Sequence, residues 1–176
     1  MRNAEYAMIT EVIVQATGGK GQGVFALRAF SKGEFIFRRR HGRVVANSDI
    51  NLLSADDQRH LCELDWATSA VLLAPGCYLN HSCNPNAMRK GTNVYAWQTI
   101  RQGEEITIDY RLNAFSADRW DCVCGSHNCL GYVIGSFFAL APDIQRTYLP
   151  YAPSFIRAEY HRRLQAATVS PRRRAS

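Results

Sequence analysis

The sequence contains no run of about 18 consecutive apolar residues, which is the length that a membrane-spanning helix requires. Residues 1–6 lack the apolar core of a secretion signal, and neither a repeat nor a second domain is visible. A length of 176 residues suits one domain with a sizeable core. We therefore expect an intracellular protein without a membrane segment, acting in the cytoplasm or at nuclear chromatin.

Acidic side chains are the minority, with 15 Asp and Glu against 21 Lys and Arg, and the net charge is +6. Part of the excess lies in two arginine runs at residues 38–40 and 172–174. A basic surface suits an acidic partner, but short runs are equally typical of a solvated face or a disordered tail. Direct nucleic-acid binding is the less favoured interpretation, because no recognition helix lies beside the cysteines.

Three of the six cysteines lie in one short segment, residues 122–129. Clustered thiols in a chain without an export signal are typical of metal ligands rather than disulfides. Three thiolates leave a tetrahedral zinc ion one ligand short, and Cys83 and His127 are the candidates for the fourth position. Cys62 and Cys77 stand alone in the sequence, and we expect them to be buried, small apolar residues.

Residues 78–86, Tyr-Leu-Asn-His-Ser-Cys-Asn-Pro-Asn, carry more polar chemistry than an ordinary connecting loop. We interpret this stretch as one part of a site that also includes the tyrosine ending residues 105–110 and the cysteine segment. The glycine-rich turn at 18–23 allows a ligand to approach the backbone closely. Residues 21–26 formally match the dinucleotide fingerprint G-x-G-x-x-A, but the strand-like sequence that follows lacks the helix that would hold a pyrophosphate.

Short apolar or β-branched segments separated by glycine turns indicate a mainly β fold with few helices. Strands are predicted at residues 10–16, 24–27, 34–37, 43–46, 93–97 and 105–110. One helix is predicted from Ser54 to about Trp66, with a capping serine and acids in its first turn. A terminal helix at 154–167 carries an apolar stripe that we expect to dock on the domain, with a homodimer contact as the alternative to a monomer.

Residues 80–86 and 103–110 closely resemble the two signature motifs of SET-domain protein-lysine methyltransferases. The turn at 20–26 resembles the first motif of that family, and the cysteine segment resembles its zinc-binding post-SET segment. The four motifs occur in the family's order and cover about residues 10–135. The resemblance implies small β-sheets with a threaded (pseudoknot) segment ending at the tyrosine. It also implies a SET domain at 8–115 and a post-SET zinc segment at 116–135. The residue pattern predicts that a C-terminal extension with a helix at 136–168 and a basic, disordered tail at 169–176 follow.

The resemblance further implies a role for individual residues. Contacts with S-adenosylmethionine are implied for Lys20, Gly21, Gln22, Asn80, His81 and Tyr110. Tyr110 would be the catalytic residue, and the zinc ligands would be Cys83, Cys122, Cys124 and Cys129, with Cys83 preferred over His127. The substrate would be a lysine-bearing basic peptide, with a histone tail as one candidate. The alternative is a zinc-stabilised module of the same fold that binds peptide without turnover.

One departure from the family pattern concerns the lysine channel. Many members carry Tyr-x-Gly-Glu where this chain has Arg40-His41-Gly42-Arg43. Because an aromatic residue is missing there, the preference for the acceptor side chain is left open.

Methyl transfer from a sulfonium to an amine is a displacement in which positioning is the main task. The amine must be neutral, and a lysine pKa of about 10.4 lies roughly three units above neutral pH, which costs about 4 kcal/mol. A narrow apolar channel reduces this cost because it disfavours the ammonium form. We expect Tyr110 to orient the reacting groups rather than act as a general base, because a phenol with a pKa of about 10 is seldom ionised at neutral pH.

Overall fold

The computed structural model describes residues 11–19 and 21–169, which form twelve short strands and three α-helices. A four-stranded sheet contains several of the predicted site residues and has the strand order β1 (Val12–Ala16), β2 (Gln22–Ala26), β10 (Glu105–Ile108) and β7 (Asn80–His81). Strand β10 is antiparallel to β2 and parallel to β7. This pairing brings three segments that are distant in sequence to one sheet.

Three further small sheets surround the first one. One has the order β3-β9-β8, from Phe35–Arg38, Asn93–Ala96 and Ala87–Lys90. Another has the order β4-β6-β5, from Arg40–Ala46, Thr68–Leu73 and Leu61–Glu63. The last pairs β11 (Phe115–Asp121) with β12 (Tyr132–Ser136). The predicted mainly β class is therefore confirmed, although the strands β5 to β8, β11 and β12 were not predicted.

The first helix, α1, is shorter than the sequence predicts, since it spans only Ala55–Arg59. Ser54 caps it as expected, because its hydroxyl accepts a hydrogen bond from the Asp57 N–H at 3.1 Å. Continuation to Trp66 was wrong. The chain leaves the helix at His60 and pairs Leu61–Glu63 with β6, which satisfies backbone groups that a longer helix would have kept for itself.

Two other helices, α2 (Pro142–Tyr148) and α3 (Ser154–Val169), follow the sheets. The predicted apolar stripe of α3 docks on the domain through its first half, where Ile156 is fully buried and Tyr160 packs against the same cluster. Its last member, Leu164, remains 49% exposed. No helix within the described residues is long and apolar enough to cross a membrane. The homodimer contact stays a prediction, and the tail from residue 170 lies outside the described residues.

The buried side chains form two apolar clusters. One lies between the β1-β2-β10-β7 and β3-β9-β8 sheets and is built around Val24, Phe30, Val94 and Ile106. The second lies under α2 and α3 and includes Met88, Leu112, Phe137 and Ile156. In the loop 78–86, Leu79 belongs to the first cluster and Tyr78 packs against it, so this cluster holds the start of the loop in place.

Candidate active site and cysteine cluster

Asn80 ties the central loop to the glycine turn. Its register in the parallel pair sets it opposite Thr107. The Asn80 side-chain amide donates hydrogen bonds to the carbonyl oxygen of Gln22 at 2.9 Å and to Oε1 of Glu105 at 2.7 Å. Asn80 and Gln22, which were both expected to contact the same cofactor, are therefore in direct contact with each other.

The turn before β2 is shaped by glycines. Gly21 has a φ of +76°, in the left-handed region that favours glycine. A Cβ at Gly23 would lie 2.7 Å from Oε1 of Glu105 and 3.1 Å from Nδ2 of Asn80, so this position has no space for a side chain. Gly23 was not predicted as a site residue, although it belongs to the glycine-rich motif. Lys20, the other expected contact in this turn, lies outside the described residues.

Tyr110 and His81 form the centre of the site. The backbone N–H of Tyr110 donates to Nδ1 of His81 at 3.2 Å, and the two ring centroids are 5.4 Å apart. The Tyr110 hydroxyl donates to the carbonyl oxygen of Leu79 at 2.7 Å. Burial, followed by the charge of Glu105, raises the pKa of Tyr110 to about 12. The phenol is therefore neutral at physiological pH.

Two buried polar residues that the sequence reasoning missed hold this arrangement. Asp109 is almost fully buried and accepts hydrogen bonds from Nε and Nη2 of Arg111 at 2.9 and 2.7 Å. Asn86 donates to the carbonyl oxygen of Glu105 at 2.8 Å and accepts from the Thr107 N–H at 2.9 Å. The sequence did offer a signal for both residues, because Asp109 directly precedes Tyr110 and Asn86 ends the central loop 78–86.

Two cavities meet at Tyr110. The smaller one, about 220 Å³, is lined by Asn80, His81, Tyr110 and Trp120, together with Gly19 and residues 121–124. The larger one, about 630 Å³, is lined by Tyr110 and Trp120 as well. The phenol and the indole therefore stand between the two spaces. Trp120 lies on the unpredicted strand β11, and no sequence signal pointed to it.

The four cysteines expected as zinc ligands come together. The sulfur atoms of Cys83, Cys122, Cys124 and Cys129 all lie within 4.8 Å of one another, and this group does not include the exposed His127. A tetrahedral zinc with bonds of about 2.3 Å separates its sulfur ligands by about 3.8 Å. The donor set and its spacing therefore fit a four-thiolate metal site.

Hydrogen bonds fasten the cysteine segment to the central loop. Ser82 Oγ lies 2.9 Å from Ser126 Oγ, and the Asn128 amide donates to the carbonyl oxygen of Cys83 at 3.1 Å. The Cys83 N–H donates to Sγ of Cys124 at 3.4 Å. Although burial raises the pKa of Cys124, this bond and those with Ser126 lower it to about 6, which favours the metal-binding thiolate.

A family model described as the SET domain matches residues 21–111 of this chain, which is more than half of it. This chain belongs to the SET-domain family. The resemblance of its four motifs is thereby confirmed at the level of the family.

The relatives of this SET domain include histone-lysine methyltransferases. The chain is 33% identical over 150 residues to the Eremothecium gossypii protein named histone-lysine N-methyltransferase, H3 lysine-36 specific, covering 74% of this chain and 21% of that protein. It is 32% identical over 136 residues to Drosophila melanogaster histone-lysine N-methyltransferase Set2, covering 68% of this chain and 6% of the relative. The chain therefore spans about a fifth or less of the length of these relatives.

A solved structure supports the same fold. The methyltransferase domain of human histone-lysine N-methyltransferase SETMAR aligns with a TM-score of 0.55 and 25% identity, covering 70% of this chain and 57% of that one. The SET-domain architecture of small sheets is therefore confirmed by both sequence and structure.

The three consecutive arginines at residues 38–40 do not all face solvent. Arg40 is exposed on β4, whereas the preceding Arg39 is buried and lines the larger cavity. Cys62 also differs from the expectation. It is buried as predicted, but guanidinium and amide nitrogens surround its sulfur rather than apolar groups. Residues 38–40 therefore do not form a continuous basic surface.

Proposed function

We propose that this SET domain is a protein-lysine N-methyltransferase that uses S-adenosylmethionine. The observation that carries the proposal is the position of Tyr110 at the junction of two cavities, with Asn80 and His81 on the smaller side. One cavity suits the methyl donor and the other the acceptor, so that the two meet at a phenol. In-line displacement requires this kind of opposed approach.

The residues of the smaller cavity fit the cofactor. Asn80 offers amide groups and His81 a ring edge to a ligand that combines amine, carboxylate and adenine parts. The turn at Gly21 and Gln22 offers backbone groups, and Gly23 leaves room because it has no Cβ. S-adenosylmethionine would supply the electrophilic methyl group when bound. The chain's own residues would orient it and exclude water.

Tyr110 acts in this proposal by orientation. Its pKa of about 12 leaves the hydroxyl protonated, so it is a poor base for the lysine ammonium. Its oxygen is anchored by the Leu79 carbonyl at 2.7 Å and keeps lone pairs for polar contacts at the transfer point. The acceptor loses its proton before the reaction, helped by removal from water in the larger cavity.

We further propose that zinc occupies the four-cysteine cluster as a structural ion. Four thiolates close a tetrahedral shell and leave no open position for substrate or water. Cys122 and Cys124 also line the smaller cavity. Zinc would therefore hold one wall of the cofactor site through the segment 122–129, and its loss would open that wall.

The substrate we propose is a lysine side chain in a protein, with a histone H3 tail as the first candidate because relatives are named for it. Chromatin would then be the place of action, and the predicted boundaries of the SET and post-SET segments would describe the catalytic unit. The peptide-binding module without turnover is less favoured, because Tyr110 and the Asn80-His81 pair are all retained at one site.

Incubation with labelled S-adenosylmethionine and mixed core histones tests the proposal. Label in a protein band, followed by mass spectrometry of the modified lysine, is the expected result. Histone binding without any label in the presence of bound cofactor would favour the binding module instead.

A further inference from the structure

Two arginines are buried in the wall of the larger cavity, which Tyr110 also lines. Arg39 lies between β3 and β4 and is 3% exposed, and Arg89 lies on β8 and is 5% exposed. Charged side chains are rarely buried to this extent unless an opposite charge pairs with them. Arg39 and Arg89 are therefore expected to have a negatively charged group nearby.

Among the residues that the structure describes, no carboxylate is in direct contact with either guanidinium group. Within 11–19 and 21–169, neither guanidinium forms an ion pair with a carboxylate inside 4.0 Å. Nε of Arg39 and Nη2 of Arg89 are buried and make no hydrogen bond to this part of the chain. Two buried cationic donors in a cavity wall therefore remain unsatisfied, which in native proteins indicates an ion, a water or a ligand.

The remaining nitrogens find only weak acceptors. Nη1 and Nη2 of Arg39 lie 3.8 and 3.7 Å from Sγ of Cys62, and Nη1 of Arg89 lies 3.7 Å from the same sulfur. Arg39 also reaches the carbonyl oxygen of Gly91 at 3.5 Å. A thiol is a poor acceptor compared with an oxyanion, so these contacts satisfy the guanidinium groups only weakly.

Neighbouring titratable groups respond to this charge. Burial, and then the charge of Arg39, lower the pKa of Arg89 to about 10. Burial and both arginine charges lower the pKa of His41, which keeps its ring neutral. Burial raises the pKa of Glu63, the carboxyl group in the same wall, whereas the charge of Arg89 lowers it. This carboxyl group lies 3.5 Å from the Asn113 amide and makes no contact ion pair with Arg39 or Arg89.

We propose that Arg39 and Arg89 form an oxyanion-binding subsite in the cavity beside Tyr110. Guanidinium groups bind carboxylate and phosphate oxygens through paired N–H donors. Both arginines line this cavity, and each has one nitrogen without a hydrogen bond to the described residues. The oxyanion has two possible sources: a carboxylate carried by the methyl acceptor near its lysine, or a free inorganic anion. Only the first source rests on the proposed methyltransferase function.

Phosphate binding tests the subsite without any turnover. Inorganic phosphate is titrated at constant ionic strength against chloride, and affinity is measured by calorimetry and by the thermal midpoint. The wild-type chain should show a saturable rise in midpoint, and the Arg39→Met/Arg89→Met double variant should bind at least about tenfold more weakly. Arg38→Met is the matched control, because that neighbouring arginine is exposed and donates a hydrogen bond to Thr92 Oγ1 at 3.2 Å, away from the larger cavity.

A phosphate effect that is absent from the wild type, or equal in the double variant, would overturn the proposal. If the double variant does not fold, as judged by circular dichroism, Arg89→Lys replaces it. This variant keeps the charge and removes the paired donors, so it should weaken phosphate binding by about tenfold. Unchanged affinity in a folded Arg89→Lys chain would equally count against the subsite.

Paired peptides distinguish the two sources of the anion. Lysine peptides with Glu or Gln at flanking positions are compared as methyl acceptors, with and without phosphate. An acceptor-borne carboxylate predicts a preference for Glu of about tenfold in kcat/KM that phosphate and the double variant both abolish. Equal rates with retained phosphate binding assign the subsite to a free anion. Phosphate binding without methylation of any protein would contradict only the proposed function. Methylation without phosphate binding would contradict only the subsite.

Discussion

The backbone N–H of Tyr110 donates a hydrogen bond of 3.2 Å to Nδ1 of His81. Because Nδ1 accepts, a neutral ring carries its hydrogen on Nε2, which lies 3.4 Å from Sγ of Cys83. A single imidazole therefore connects the backbone of the proposed catalytic residue with one sulfur of the cysteine cluster. Side chains that contact a metal ligand, as His81 contacts Cys83, help to orient that ligand. Loss of a metal from the cysteine cluster should therefore change the position of Tyr110.

Loss of the metal should therefore disable the active site as well as the cysteine segment. The purified chain is expected to contain one zinc per molecule by elemental mass spectrometry. Cys83→Ser should lose the zinc, increase amide hydrogen exchange in residues 122–129 and lower methyl transfer by at least about tenfold. His127→Ala is the control, because that side chain lies outside the sulfur group, and it should keep both zinc and activity. Full activity in a zinc-free Cys83→Ser chain would contradict the proposed link.

Removal of the Tyr110 hydroxyl should separate catalysis from binding. Tyr110→Phe loses the 2.7 Å bond to the Leu79 carbonyl but keeps the ring against His81. We expect transfer to fall by about 100-fold or more, as for other groups positioned at a transition state, while unfolding free energy falls by only about 1 kcal/mol. Calorimetry of S-adenosylmethionine binding is the control, and it should change little. Methyl transfer by Tyr110→Phe at the wild-type rate would show that the Tyr110 hydroxyl is not needed for catalysis.

The pH dependence follows from the raised pKa of about 12 at Tyr110. The unfolded chain ionises a tyrosine near pH 10, whereas the folded chain keeps Tyr110 protonated up to about pH 12. The free energy of unfolding is therefore unaffected by this phenol below about pH 10 and falls as the pH rises from about 10 to 12. The fraction of neutral lysine meanwhile rises about tenfold per pH unit below 10.4. We expect kcat/KM to increase from pH 7 to 9 with no fall caused by the phenol. The difference in absorbance at 295 nm between wild type and Tyr110→Phe measures its titration directly, and an inflection below pH 10 would refute this prediction.

A methyl group added in the glycine turn should disturb cofactor binding. Gly23→Ala sets a Cβ 2.7 Å from Oε1 of Glu105 and 3.1 Å from Nδ2 of Asn80, and relief of this overlap breaks the bond between those two side chains. We expect KM for S-adenosylmethionine to rise about tenfold and stability to fall by about 1–3 kcal/mol.

Gly18→Ala is the matched control for that substitution, because a Cβ there has no neighbour within 4 Å and its φ lies outside the left-handed region. It should leave both KM and stability close to those of the wild type. Equal effects of the two alanines would show that the turn responds to lost flexibility rather than to crowding at Asn80.

The strands that local pattern predicted are those with β-branched residues between turn residues. Residues 10–16 and 105–110 contain Val12–Ala16 and Glu105–Ile108. Strand β11 escaped prediction because Phe115–Asp121 mixes charged and aromatic residues, and its pairing with β12 comes from distant sequence. The helix end at Arg59 was misjudged for the same reason, because β6 competes for the backbone of residues 61–63.

The sequence by itself determined the chemical groups: an Asn-His pair, a tyrosine after β10 and thiols spaced for a metal. Only the tertiary structure decided which groups share a space. Of the three consecutive arginines, it is Arg39 that lines the larger cavity, because β3 pairs with β9 and β4 pairs with β6, and successive side chains of an extended segment point to opposite faces. Trp120 beside Tyr110 likewise depends on long-range pairing, which no local pattern encodes.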